Sequence, residues 1–156
     1  MDITEALHLA ENLKNEYGLH NWEIRLSNSK RAFGTCYFGI NVIKLSQHLV
    51  RLNEVDRVRN TILHEIAHAV AGIGHNHDKV WRDKFISMGG DGKRCYNEND
   101  ANTPKANYIG KCVNGHERER FRLSRRAHKM ACASCCNKYS GGKFDPTYQF
   151  TWKRVR

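Results

Sequence analysis

Proline is almost missing from this chain, with Pro104 and Pro146 the only two in 156 residues, so no proline-rich spacer or extended low-complexity segment is expected. Long apolar runs are missing too. No stretch approaches the roughly 18 consecutive apolar residues of a membrane span, and no membrane partner is expected. The first residues, Met1-Asp2-Ile3-Thr4-Glu5, lack the basic start and apolar core of a secretory leader, which predicts an intracellular protein. Acidic residues are scarce in the last third: residues 107–156 hold 3 Asp/Glu against 12 Lys/Arg, whereas residues 1–106 hold 13 against 14. Solubility needs no such lopsided cluster, so the last third reads as a surface for a polyanion, with nucleic acid the leading candidate. Aliphatic residues are also few there, and about 50 residues so composed need a staple to fold.

Six cysteines are present, four of them clustered toward the C-terminus. In a reducing compartment that clustering favours metal binding or free thiols over disulfides. Cys36 and Cys95 have no close cysteine neighbour and read as small buried side chains.

The densest chemistry is His64-Glu65-Ile66-Ala67-His68. On a helix, the two imidazoles at i and i+4 share a face and can bind one Zn²⁺, and Glu65 between them can reach a water on that ion. Upstream, Asn53 is placed to cap the helix, with Glu54 and Asp56 in its first turn. Val55, Val58, Ile62, Ile66, Ala69 and Ile73 recur at spacings of three and four, predicting a buried stripe. His64 and His68 lie about 200° from Ile62 and Ile66, so core and chemistry use opposite faces. Gly72 and Gly74 stop the helix, and His75 and His77 follow. A metzincin would need its third histidine at position 74, which is Gly74 here. His77 is favoured as third ligand, because Trp81 at i+4 can anchor the next helix beneath it; His75 and a distal carboxylate such as Glu98 are the alternatives.

The rest of the first two-thirds reads as α+β. Asp2 with Glu5 resembles a capping box opening an amphipathic helix that runs to Gly18. Strands are expected near Trp22–Leu26, Phe33–Phe38 and Ile40–Leu45, and a helix over Lys79–Met88.

HEIAHAVAG followed by GHNHDKVWRDKFISMGG, with Gly34-Thr35-Cys36-Tyr37 and Ile43 to Leu49 upstream, resembles the SprT-like metalloprotease family, the group that includes the DNA-dependent protease Spartan. The resemblance covers about residues 1–95 and implies a zincin-like domain in which His64, His68 and His77 bind zinc. It also implies a sheet edge beside the active-site helix where an extended substrate adds as a strand. Asp78 stands where the family usually has glycine after the third histidine, which leaves the local backbone open.

Beyond a linker at 96–107, Cys112-Val113-Asn114-Gly115-His116 and Cys132-Ala133-Ser134-Cys135-Cys136 match a Cys₃His zinc ribbon over 108–156. Its ligands would be Cys112, His116, Cys132 and Cys135, with Cys136 a substitute for Cys135. Arg118, Arg120, Arg122, Arg125 and Arg126 lie between the pairs; the first three alternate, as a strand facing a phosphate backbone would require. Tyr148, Phe150 and Trp152 also alternate, with packing in the ribbon's own core favoured over stacking on bases.

These readings predict a monomeric zinc endopeptidase with one catalytic and one structural Zn²⁺, Glu65 as its base and DNA as a partner, and the resemblance implies DNA-bound or DNA-crosslinked proteins as its substrates. A DNA-binding adaptor with an inactive zincin-like domain is the alternative. A hydrolase of small amides or esters is a third possibility.

Overall fold

The computed structural model describes residues 1–95 and 101–156, which divide into two compact units, Met1–Pro104 and Lys105–Arg156. The first unit opens as its capping box dictates. The Asp2 carboxylate accepts from the Thr4 and Glu5 amides at 2.7 and 3.3 Å, starting α1 (Ile3–Glu16). Strands β1 (Glu23–Ser27), β2 (Gly34–Tyr37) and β3 (Val42–Ser46) form a sheet in the order β1-β3-β2. β3 is central, parallel to β1 and antiparallel to β2, and its Val42, Ile43 and Leu45 are fully buried. β2 is an edge strand packed against α3 (Val55–Ala71).

α3 buries Val58, Ile62 and Ile66 as its spacing predicts, and also Leu63 and Ala67. At roughly 1.5–3 kcal/mol for each large aliphatic, this burial fixes the helix far more firmly than its ends do. The ends depart from expectation. Val55 and Ile73 are exposed, Ile73 at 81 %, because the stripe runs past the packed part of the helix. Asn53 is not the cap: Glu54 holds that position without a side-chain bond. Asn53 is instead buried, donating to Leu49 O and Asn102 O at 2.7 and 2.8 Å and accepting from the Asn102 amide at 2.7 Å. It thereby secures Ala101 and Asn102, read above as linker, to the first unit. A short helix, α2 (Gln47–Leu52), was not anticipated; Ser46 caps it through the Leu49 amide at 3.1 Å. α4 (Lys79–Ser87) buries Trp81 and Phe85 against α3.

In the second unit, β4 (Tyr108–Lys111) lies between β5 (Glu117–Arg120) and β6 (Thr151–Arg154), antiparallel to both. Short helices α5 (Arg125–His128) and α6 (Ala133–Tyr139) complete it. Its core is Cys112, Cys132, Cys135 and Phe150 with Tyr148, Met130 and Trp152 against them, so the alternating aromatics pack inward. Trp152 Nε1 donates to Ala127 O at 3.1 Å, and its ring covers Gly110, where a Cβ would meet Cε3 at 2.8 Å. No helix among the described residues is long and apolar enough to cross a membrane.

Candidate metal centre and active site

Three imidazoles converge in the first unit. His64 and His68 project from one face of α3, and His77 reaches them from the turn before α4. His77 Nε2 lies 3.0 Å from His68 Nε2 and 3.1 Å from His64 Nε2. Nitrogens held 2.0–2.1 Å from a tetrahedral ion stand about 3.3 Å apart, so the spacing fits zinc with slight contraction. Protonation fits as well. Burial, followed by its histidine neighbours and Arg57, pushes His64 down to about 3; burial and then His77 push His68 down to about 4. Burial and then Arg94 lower His77 too. All three therefore offer lone pairs at neutral pH, as ligation requires.

The turn that delivers His77 answers the question left by Asp78. His77 itself adopts the left-handed conformation, φ 58°, which costs about 1–2 kcal/mol in a non-glycine residue. Asp78 is extended and caps α4, its carboxylate accepting from the Trp81 amide at 3.0 Å and pairing with His75 Nδ1 at 2.7 Å. His75 is thus engaged with the cap and stands outside the histidine cluster. Glu98, the other alternative, lies outside the described residues. Trp81 forms the floor, its ring centroid 4.6–5.2 Å from all three imidazoles and its Nε1 3.4 Å from His64 O.

Glu65 is 6 % exposed, and burial raises its carboxyl to about 8, opposed in part by the Cys36 amide. Its side chain lies against the backbone of β2 at Gly34. Both face a cleft of about 410 Å³ that His64, His68 and His77 also line. Cys36 and Cys95 line the same cleft. Cys36 is half-buried, its thiol pushed up to about 12 by burial and then by Glu65, and it stands outside the histidine cluster. Cys95 is exposed rather than buried, since it sits on the cleft rim instead of in the core.

The second unit brings Cys112, His116, Cys132 and Cys135 together, all ligand atoms lying within 4.8 Å of one another. Cys112 Sγ and Cys135 Sγ are 3.8 Å apart, and His116 Nδ1 is 3.5, 3.5 and 3.2 Å from Cys112, Cys132 and Cys135. Tetrahedral zinc with 2.3 Å sulfur and 2.0–2.1 Å nitrogen bonds gives about 3.8 and 3.5 Å for these edges, so this site fits as well. Cys136 is buried but outside the cluster. Asn114, unremarked in the sequence, donates to Cys135 Sγ at 3.3 Å; the only signal was its place in the Cys112–His116 turn.

The arginines part company. Arg118 is exposed on β5, Arg125 and Arg126 are exposed on α5, and Arg122 is exposed beyond the strand end. Arg120 is half-buried, with Nη2 3.2 Å from Met130 Sδ, so the expected three-arginine strand face is reduced to Arg118 and a partly covered Arg120. Gly34 had entered only within a resembling motif; its contact with Glu65 joins residues 31 apart in sequence, which no local pattern reports.

No curated protein matches the chain significantly. Residues 4–100, which include both motif histidines, Glu65 and His77, match the SprT-like family, and the chain belongs to that family.

Proposed function

We propose that this protein is a zinc-dependent endopeptidase acting on DNA-associated or DNA-crosslinked proteins, with the second unit as its DNA tether. One observation carries the peptidase reading: three neutral imidazole nitrogens converge beside a buried carboxyl at a cleft. His64, His68 and His77 would hold the ion. Zinc, when bound, polarises a carbonyl and lowers the pKa of water toward neutrality. The charge of a bound ion would favour the ionised form of Glu65, which would take a proton from water and return it to the leaving amine, one carboxylate serving as base and then acid. The histidine rings are kept neutral and oriented by burial against Trp81.

β2 is the candidate substrate edge. Ser46 N–H bonds Phe33 O at 2.8 Å, so by antiparallel alternation Gly34 and Cys36 turn their peptide groups away from β3. An extended peptide can pair there as an added strand through the Gly34 peptide groups and the Cys36 carbonyl, the Cys36 amide being turned toward Glu65.

For the tether, Cys112, His116, Cys132 and Cys135 would hold the structural zinc. Arg118, Arg122, Arg125 and Arg126 supply phosphate contacts. Glu117 and Glu119 alternate with Arg118 along β5 and so face the opposite side of the sheet. Arg120 contributes more to packing than to contact. The protein would act inside the cell, at DNA.

The test is cleavage of a DNA-bound protein by zinc-loaded wild type and Glu65→Gln, with and without DNA. The variant keeps side-chain size but loses the base, so turnover should fall by about 10²–10⁴ while zinc content holds. Near-wild-type turnover by the variant would sink the mechanism. DNA binding by a wild type that cleaves nothing would favour the adaptor reading.

A further inference from the structure

We infer that Gly34 is a positioning residue for Glu65, the one place where β2 leaves room for the proton-transferring side chain; this rests on the reading of Glu65 as the base. A Cβ on Gly34 would sit 2.6 Å from Glu65 Cγ, 2.7 Å from Oε1 and 2.9 Å from Cδ. All are closer than such contacts ordinarily come. Three successive groups of the Glu65 side chain thus lie flat on the glycine, and the carboxyl is held between the edge strand and the cleft.

Backbone conformation does not call for glycine here. Gly34 begins a regular strand and does not take positive φ, unlike Gly18 or Gly72. Glycine weakens a strand through added backbone entropy, so its presence calls for another reason. The space occupied by Glu65 is that reason. The Cys36 amide, two residues along and turned to the same outward side of β2, adds a donor near the carboxyl. Glu65 is buried, so any side chain at position 34 drives its carboxyl out of place, toward the histidines or into the cleft.

The full-length, zinc-loaded chain carrying Gly34→Ala should retain both metals and its KM, while kcat falls about 100-fold, the cost of a misplacement of about 1 Å. A methyl at position 34 projects perpendicular to the strand's pairing edge, which is why KM should hold. A thermal cycle identifies the contact. Gly34→Ala should lower the melting temperature by about 5 °C in the wild-type background and leave it unchanged in Glu65→Ala, where the atoms it strikes are gone. If Gly34→Ala folds only in the Glu65→Ala background, the conclusion is the same. Wild-type kcat in Gly34→Ala, or equal melting losses in both backgrounds, would overturn the inference. A wild type that cleaves no peptide would instead remove the peptidase reading, and the thermal cycle would still decide whether Gly34 holds Glu65.

Discussion

At the scale of single residues, the histidine cluster is an arrangement of neutral bases kept neutral by burial. His77→Ala should abolish zinc at this site, whereas His75→Ala, which removes only a partner of the Asp78 cap, should leave it; metal titration of both variants decides. Burial also sets a pH dependence for the metal-free protein. Folding lowers His64 and His68 from 6.5 to about 3 and 4, so the stability they allow is present above pH 6.5 and lost as pH falls through those values. Folding raises Glu65 from 4.5 to about 8, so its contribution is present below 4.5 and lost as pH rises through 8. Between 4.5 and 6.5 two histidines outweigh one glutamate, and the chelated protein should be most stable near pH 6.5. Wild type should lose on the order of 2 kcal/mol between pH 6.5 and pH 8 in urea unfolding, and Glu65→Gln should flatten that limb. An unchanged limb would place the titration elsewhere.

At the scale of elements, α3 shows which signals are local. Ile62 and Ile66 are buried and His64 and His68 converge as their spacing requires, because a helix fixes which residues share a face. Asn53 shows the opposite. Its type and place suit a helix cap, yet its amide satisfies backbone groups of Leu49 and Asn102, the latter 49 residues away. Asn53→Ala should therefore cost about 2–3 kcal/mol, more than the roughly 1 kcal/mol of a lost cap, because it strands buried donors and acceptors. Glu54→Ala, at a cap position without a side-chain bond, should stay within about 0.5 kcal/mol. A loss of only about 1 kcal/mol for Asn53→Ala in urea denaturation would restore the capping reading. β5 shows where alternation stops being informative: Arg118, Arg120 and Arg122 alternate in sequence, but the strand ends at Arg120 and Met130 covers its guanidinium.

For the whole molecule, the two units have separate cores, one mainly of aliphatic residues with Phe33, Trp81 and Phe85 and one of cysteines and aromatics. A chain ending at Pro104 should keep the histidine site, lose one of two zincs and lose most DNA affinity. In the full chain, log affinity should fall linearly with log salt. Arg118→Ala should make that slope shallower by about 0.9, whereas Glu117→Ala should not weaken binding. Equal DNA affinity for the truncated and full chains across a salt series would end the tether model.

Local sequence patterns set the longer elements of the first unit and the chemical inventory. Period 3.6 marks α1, α3 and α4 and alternation marks β1, whereas β3 is buried along nearly its whole length; ligand spacing within one turn brings His64 to His68 and Cys112 to His116. Trp81 at i+4 already favours His77 over His75 in the sequence; folding adds the turn itself, in which left-handed His77 turns its ring to His64 and His68 while His75 pairs with the Asp78 cap. Folding likewise left Cys136 outside the cysteine–histidine cluster, gave Asn53 its partners and laid Glu65 on Gly34. Each of these depends on groups meeting across a packed interface, where distance along the chain no longer limits which atoms touch and close packing leaves room for only one arrangement.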